Sequence, residues 1–181
     1  MKAVFFIDVE EYAAALAKTK TAQTNDEKKQ SLEGLAKLLF EGIAFLRFKY
    51  SNLRTASAEI DLVFRYQGFK ETTVFDELGS YFFVECRNWK DPVGAKHVRD
   101  FIGKMQSSRV KLGVLVAPEG VTGESDSADA LREIRKAYDK YGLFVPVIAE
   151  EHLELIRKGE NFYELLEYEI ESIRFDFAYK N

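Results

Sequence analysis

The sequence predicts an α/β fold, a mixed β-sheet flanked by α-helices, and three observations carry that expectation. Leu32, Leu35, Leu39, Ile43 and Leu46 recur at helical spacing. Three short apolar segments rich in aromatic and β-branched residues follow, separated by turn signals. Beyond them, apolar strand-like runs alternate with amphipathic helical ones. The 181 residues, 46% of them hydrophobic, suffice for one well-filled core and are short for two.

An amphipathic helix is expected from about Val9 to Lys18, ended by the polar stretch Thr19 to Asn25. Thr24-Asn25-Asp26-Glu27 has the order of a capping box, so a long helix should start there and run to about residue 46. Residues 1–25 thus read as a helical extension and 26–181 as the main domain of a single globular unit. Strands are expected at Phe48 to Leu53, Ile60 to Tyr66 and Tyr81 to Arg87, in an antiparallel meander turning at Gln67-Gly68 and Leu78-Gly79-Ser80. Pro92 and Gly94 open a helix whose buried stripe is Val98, Phe101, Ile102 and Met105. A strand at Leu112 to Ala117, a helix at Ser127 to Tyr141 and a strand at Phe144 to Ala149 form a parallel crossover. Helices at about Glu151 to Lys158 and Phe162 to Glu169 complete the order.

Two of the strands break their apolar pattern with carboxylates. Side chains two apart on a strand share a face, so Glu59 points with Asp61, and Glu85 with Arg87. On neighbouring strands these would gather three carboxylates and a guanidinium. Carboxylates in an apolar sheet need a cation, an ion-pair partner or water, and a divalent metal is one solution. His97 and His152 are too few and too separated for a histidine-built zinc site. A net charge of -4 excludes a histone-like, wholly electrostatic DNA binder but leaves room for a local basic groove. The single cysteine, Cys86, has no internal disulfide partner, which fits a reducing cytoplasm. No apolar run reaches the roughly 18 residues of a membrane span, and the apolar start of the chain is cut short by Asp8, Glu10 and Glu11, unlike a secretory signal.

With this order of elements, Ile60-Asp61 on the second strand and Val84-Glu85-Cys86-Arg87-Asn88-Trp89 on the third resemble the restriction-endonuclease-like superfamily and its PD-(D/E)XK signature. Continued through Lys90-Asp91-Pro92-Val93-Gly94, the run is similar to the Mrr-type branch, in which Glu-Cys-Lys-Asn-Trp leads into a Pro-Val-Gly turn and a basic helix. The resemblance spans about Leu32 to Val147. It implies a Mg²⁺- or Mn²⁺-dependent DNA endonuclease that hydrolyses phosphodiester bonds in the restriction of foreign DNA. Asp61 and Glu85 would then bind the metal, with the backbone carbonyl of Cys86 as a further ligand, a hard-oxygen set suited to these ions. An acid from the first long helix would assist, Glu41 by choice and Glu33 as its competitor.

Arg87 departs from the family pattern, which has a lysine there to orient the attacking water. Arginine keeps the charge but is planar and does not deprotonate. Lys90, Lys96 or Lys104 would have to reach back to supply the missing ammonium. The competing reading is an inactive module of the same fold that binds DNA or a protein partner, favoured if Arg87 lies across Asp61 and Glu85; a third is an RNA nuclease. Lys90, Lys96, Arg99 and Lys104 form a basic cluster set to contact DNA phosphates. Cys86 alternates to the opposite face as a buried small hydrophobe, Trp89 packs beside the groove, and the loop Pro118 to Gly123 borders it. Homodimerisation would suit double-strand cleavage, through the first helix or the Ile173 to Phe177 tail. Neither a small-molecule cofactor nor a membrane partner is expected. No appended recognition domain is read in these residues, which implies broad cutting or reliance on another subunit.

Overall fold

The computed structural model describes residues 5–68, 73–123 and 129–176. Helix α1, Val9–Thr21, starts where the Asp8 carboxylate accepts the Glu11 N–H, leaving one fewer orphan donor in its first turn. Helix α2, Asn25–Glu41, begins with the expected capping box: Thr24 Oγ1 accepts the Glu27 N–H, and the Glu27 carboxylate accepts the Thr24 N–H. It ends at Glu41, short of residue 46. There the Gly42 N–H closes back on Leu38 and the Ile43 N–H on Phe40, tightening the last turn. Ile43 then bridges Phe5 and Leu46 opens the first strand, so their burial continues the apolar pattern without continuing the helix.

Five strands form one sheet in the order β1 (Leu46–Arg54), β2 (Glu59–Tyr66), β3 (Tyr81–Cys86), β4 (Gly113–Val116) and β5 (Val147–Ile148). The first three are antiparallel, and β4 and β5 join in parallel. A short helix absent from the sequence reading, α3 (Phe75–Leu78), buries Phe75 and Leu78 between β2 and β3. Helices α4 (Ala95–Ser107), α5 (Ala130–Tyr141), α6 (Glu150–Arg157) and α7 (Phe162–Phe175) complete the order. The last strand shrinks to two residues because Pro146 has no N–H to donate; its carbonyl alone serves β4, accepting from Leu115. Helix α5 is capped by the Asp129 carboxylate, and the expected start at Ser127 lies outside the described residues, as does Phe177 of the tail.

Alternation along the strands divides the core. Leu62, Phe64, Phe82, Val84, Cys86, Val114 and Val116 face α1, α2, α6 and α7, whereas Val63, Phe83 and Leu115 face α4 and α5. The sheet is therefore covered on both sides, as its near-continuous apolar strands require. Gly113 lets α4 come close: a Cβ there would lie 2.8 Å from the Phe101 ring. Gly142, at φ 63°, takes the left-handed turn that stops α5. On the first side Phe40 is the hub, its ring centroid 5.1 Å from Phe64, 5.4 Å from Phe82 and 5.1 Å from Phe162. Phe40→Ala should lower unfolding free energy by about 3–5 kcal/mol in denaturant titration, with an unchanged slope.

Candidate active site

The site is a fork in the sheet. Strands β2 and β3 pair from Arg65 and Tyr81 to Leu62 and Val84. Beyond that pair β2 stays with β1 as far as Glu59, and β3 stays with β4 as far as Cys86. The next residues on the two arms are Asp61 and Glu85, only 4% and 2% exposed. In the gap, Asp61 Oδ2 accepts the Cys86 N–H at 2.9 Å, replacing the carbonyl that a continuing ladder would have offered.

Three cations neutralise these acids, each from a different element. Arg87 lies across the fork: its guanidinium pairs with Glu85, stands 3.8 Å from Asp61 and donates to the Cys86 carbonyl at 3.4 Å. It therefore meets all three groups proposed as metal ligands. Lys104 of α4 places Nζ 2.9 and 3.0 Å from the two oxygens of Glu85. Lys29 of α2 reaches Glu59 at 3.1 Å, Glu33 at 3.6 Å and Asp61 at 3.7 Å. Four carboxylates are thus held by these three cations, with Arg54 on Glu59 from the rim at 3.5 Å.

Burial sets the titration of this cluster. Desolvation pushes the Glu85 carboxyl up, and the Asp61 charge adds to it, against the pull of Arg87 and Lys104. Glu33 is raised by the same two causes, offset in part by Lys29 and Asn52. Burial lowers Lys29, but its hydrogen bond to Glu59 and the charges of Asp61 and Glu33 outweigh this and leave it above the ordinary lysine value. Cys86, wholly buried on the opposite core face, is held well above the ordinary thiol value by desolvation and neighbouring carboxylates. It is a packed thiol, not a nucleophile.

The other expected residues divide. Glu41 sits exposed at the far end of α2, about 12 Å of helix rise from Glu33. Glu33 is the acid that α2 brings to the fork, and Asn52, in the left-handed region at φ 48°, donates to its Oε2 at 3.5 Å. Lys90 and Lys96 are exposed, and Arg99 is exposed but paired with Glu133 at 3.6 Å. Lys104, expected among the phosphate contacts, turns inward to Glu85 instead. Trp89 is 40% exposed, with the Arg87 guanidinium 5.3 Å from its ring centroid and His97 meeting it edge-on. The sequence reading missed Lys29 and Asn52. Lys29 was signalled only by its i,i+4 spacing to Glu33, and Asn52 by nothing beyond the tolerance of asparagine for positive φ.

As placed, no three His, Cys, Asp or Glu side chains among the described residues converge to hold a metal ion, and Lys29, Arg87 and Lys104 stand among the acids. The donor chemistry nevertheless fits a hard divalent cation. Asp61, Glu85 and the Cys86 carbonyl share one positive partner, and Glu33 Oε1 is a buried carboxylate oxygen with no hydrogen-bond donor.

A mixed sheet that forks beneath two buried carboxylates, with helices on both faces, defines the restriction-endonuclease-like class of fold. Within that class the chain belongs to the Mrr-type family: the family's catalytic-domain model, described as restriction endonuclease, matches residues 25–139, well over half of the chain. No curated protein matches it.

The raised Glu33 carboxyl gives a stability test. An acid whose folded pKa lies above its unfolded value of about 4.3 binds protons on folding, so its contribution is fully present below that value and is lost as pH rises through the folded one. Melting temperatures taken upward from about pH 4 should therefore fall in wild type relative to Glu33→Gln, with the difference levelling off once Glu33 is ionised in both states.

Proposed function

We propose that this chain is a divalent-metal-dependent DNA endonuclease in which Lys104 supplies the ammonium that strand position 87 lacks. Membership of a restriction endonuclease family supports nuclease chemistry. The observation that carries the finer reading is Lys104 Nζ lying on both oxygens of Glu85 from a helix on the far side of the fork. It restores a lysine beside the second acidic residue without occupying the strand.

In this reading Asp61, Glu85 and the Cys86 carbonyl would hold Mg²⁺ or Mn²⁺, with Glu33 rather than Glu41 as the helix acid beside them. When bound, the ion supplies Lewis-acid charge at the scissile phosphate and lowers the pKa of a coordinated water. Lys104 donates to the attacking water or to a non-bridging phosphate oxygen as negative charge builds there. Hydrolysis adds the hydroxyl of water to phosphorus, breaks the bond to one ester oxygen and leaves a proton on that departing oxygen. Arg87 serves as the resident countercharge, moving off the three oxygens toward the phosphate as the site loads. Lys90 and Lys96 contact the DNA backbone. A free buried thiol agrees with work in a reducing cytoplasm, and the family supports a role on foreign DNA. Two such domains would present two sites to the two strands.

A second reading has a specific observation behind it. Arg87 lies across Asp61 and Glu85, the arrangement that favours a DNA-binding module with its metal position filled. Plasmid nicking in Mg²⁺ or Mn²⁺, with an EDTA control, separates the two. The nuclease reading expects cleavage that EDTA abolishes, that Asp61→Ala and Glu85→Ala each remove, and that Lys104→Ala lowers by about 10²–10³-fold. Arg87→Ala should tighten Mn²⁺ binding in calorimetry, since the ion no longer competes with a guanidinium. DNA binding without cleavage under either metal, together with Mn²⁺ binding that appears only in Arg87→Ala, would establish the module instead.

A further inference from the structure

A cleft of about 530 Å³ opens beside the fork, and the candidate active site does not use it. Its walls are the end of α1, the start of α2, the Asn88 to Lys90 segment that follows β3, the Pro118-Glu119 loop and the start of α6. Two of these walls, α1 and α6, lie outside the residues the family model matches.

Resting on the nucleic-acid reading of the fork, we infer that this cleft takes one unpaired nucleotide of the strand under attack. Its volume is that of a small-ligand site and admits a single nucleotide, whereas a paired duplex cannot enter. Asn88 follows Glu85 by three residues, at most about 10 Å of extended chain, so neighbouring nucleotides of one strand span both sites. The lining suits such a ligand. Trp89 presents exposed ring surface for a base, and Lys28 and Lys90 carry no ion pair among the described residues and can meet the flanking phosphates. Lys20, by contrast, is taken up by Glu150 and Glu154, each at 2.8 Å. Gln23 and Glu119 leave acceptors on the lining for a base amino group.

The walls are also fixed before any ligand arrives. Asn88 Nδ2 donates to the Thr19 carbonyl at 3.0 Å and to the Lys28 carbonyl at 3.3 Å, tying α1 and α2 to the segment that carries Trp89. A preformed cleft spares the ligand the cost of ordering it.

Trp89 is the only tryptophan, so the emission comes from one side chain that lines this cleft and also adjoins Arg87 of the fork, and a cleft-filling variant separates the two sources. The test titrates the full chain, in EDTA, with a short thymidine oligonucleotide and with a blunt duplex of equal length. The single strand should change the emission saturably, and the duplex should require at least about tenfold more. Lys28→Ala and Lys90→Ala should each weaken the single-strand affinity and lower its slope of log K against log salt by about 0.7. Ala22→Phe, which fills the cleft and leaves every cation in place, should remove the response while circular dichroism stays native. An equal response to duplex, no response to either ligand, or an unchanged response in folded Ala22→Phe would overturn the inference. Its failure is distinct from failure of the nuclease reading: plasmid cleavage without a Trp89 response rejects the cleft alone, and a response without cleavage rejects the nuclease alone.

Discussion

Everything in the candidate site depends on one hydrogen bond that the sheet gives up. A continuing antiparallel ladder would satisfy the Cys86 N–H with a carbonyl of β2, but the strands part after Leu62 and Val84, and a buried N–H cannot go unpaired without a large cost. Asp61 meets that demand with a carboxylate oxygen at 2.9 Å. The substitution puts a full negative charge where a neutral dipole would have been, next to Glu85 on the other arm. Two buried acids then require cations, and the fold must bring them from outside the sheet.

The cations come from three elements, and this is what makes the fork a junction. Lys29 arrives from the capped N-terminal half of α2, Arg87 from the strand end itself and Lys104 from the last turn of α4. Helices on opposite faces of the sheet are thereby held to the same cluster. The two positive groups on Glu85 are not equivalent. The guanidinium spreads over Glu85, Asp61 and the Cys86 carbonyl, as a planar multi-donor fork can, whereas the ammonium of Lys104 is a point charge confined to Glu85. The two therefore meet on Glu85 Oε1, where the guanidinium also reaches toward Asp61 and the ammonium also reaches Glu85 Oε2.

The gathering of acids was readable in the sequence because it rests on the shortest periodicity a chain has, whereas the parting of the strands after Leu62 and Val84 was not. Residues i and i+2 share a strand face, so Asp61 with Glu59 and Glu85 with Arg87 follow from spacing once the strands are taken as neighbours. The choice between Glu33 and Glu41 needed more, namely where α2 ends and how it is rotated. Counting Ile43 and Leu46 as helical, and leaving out Ala36 and Phe40, turned the inferred stripe away from its true centre. The buried set is Leu32, Glu33, Leu35, Ala36, Leu39 and Phe40, in which Glu33 lies on the Ala36 and Phe40 line. A turn tightened at Gly42 is a local hydrogen-bonding event that apolar spacing does not register. The inward turn of Lys104 is equally invisible to spacing, because a lysine on an amphipathic helix looks solvated until the acid it meets is placed across the sheet.

The N-terminal helix, outside the matched span, is tied to the segment that leaves the fork. Helix α1 buries Tyr12 and Leu16 in the same core that holds α2, and the Tyr12 hydroxyl donates to the Leu153 carbonyl of α6 at 2.7 Å. Its last turn gives the Thr19 carbonyl to Asn88, one residue past Arg87. The backbone leaving β3 is therefore pinned on both sides: the Arg87 N–H is held by Val116 of β4 at 2.8 Å, and the Asn88 side chain by α1 and α2. Between these anchors the Arg87 side chain runs to Glu85 and Asp61, with the Trp89 ring centroid 5.3 Å from its guanidinium. The guanidinium that bridges the two arms of the fork is thus carried on a backbone fixed on either side of it, and α1 supplies one of those anchors.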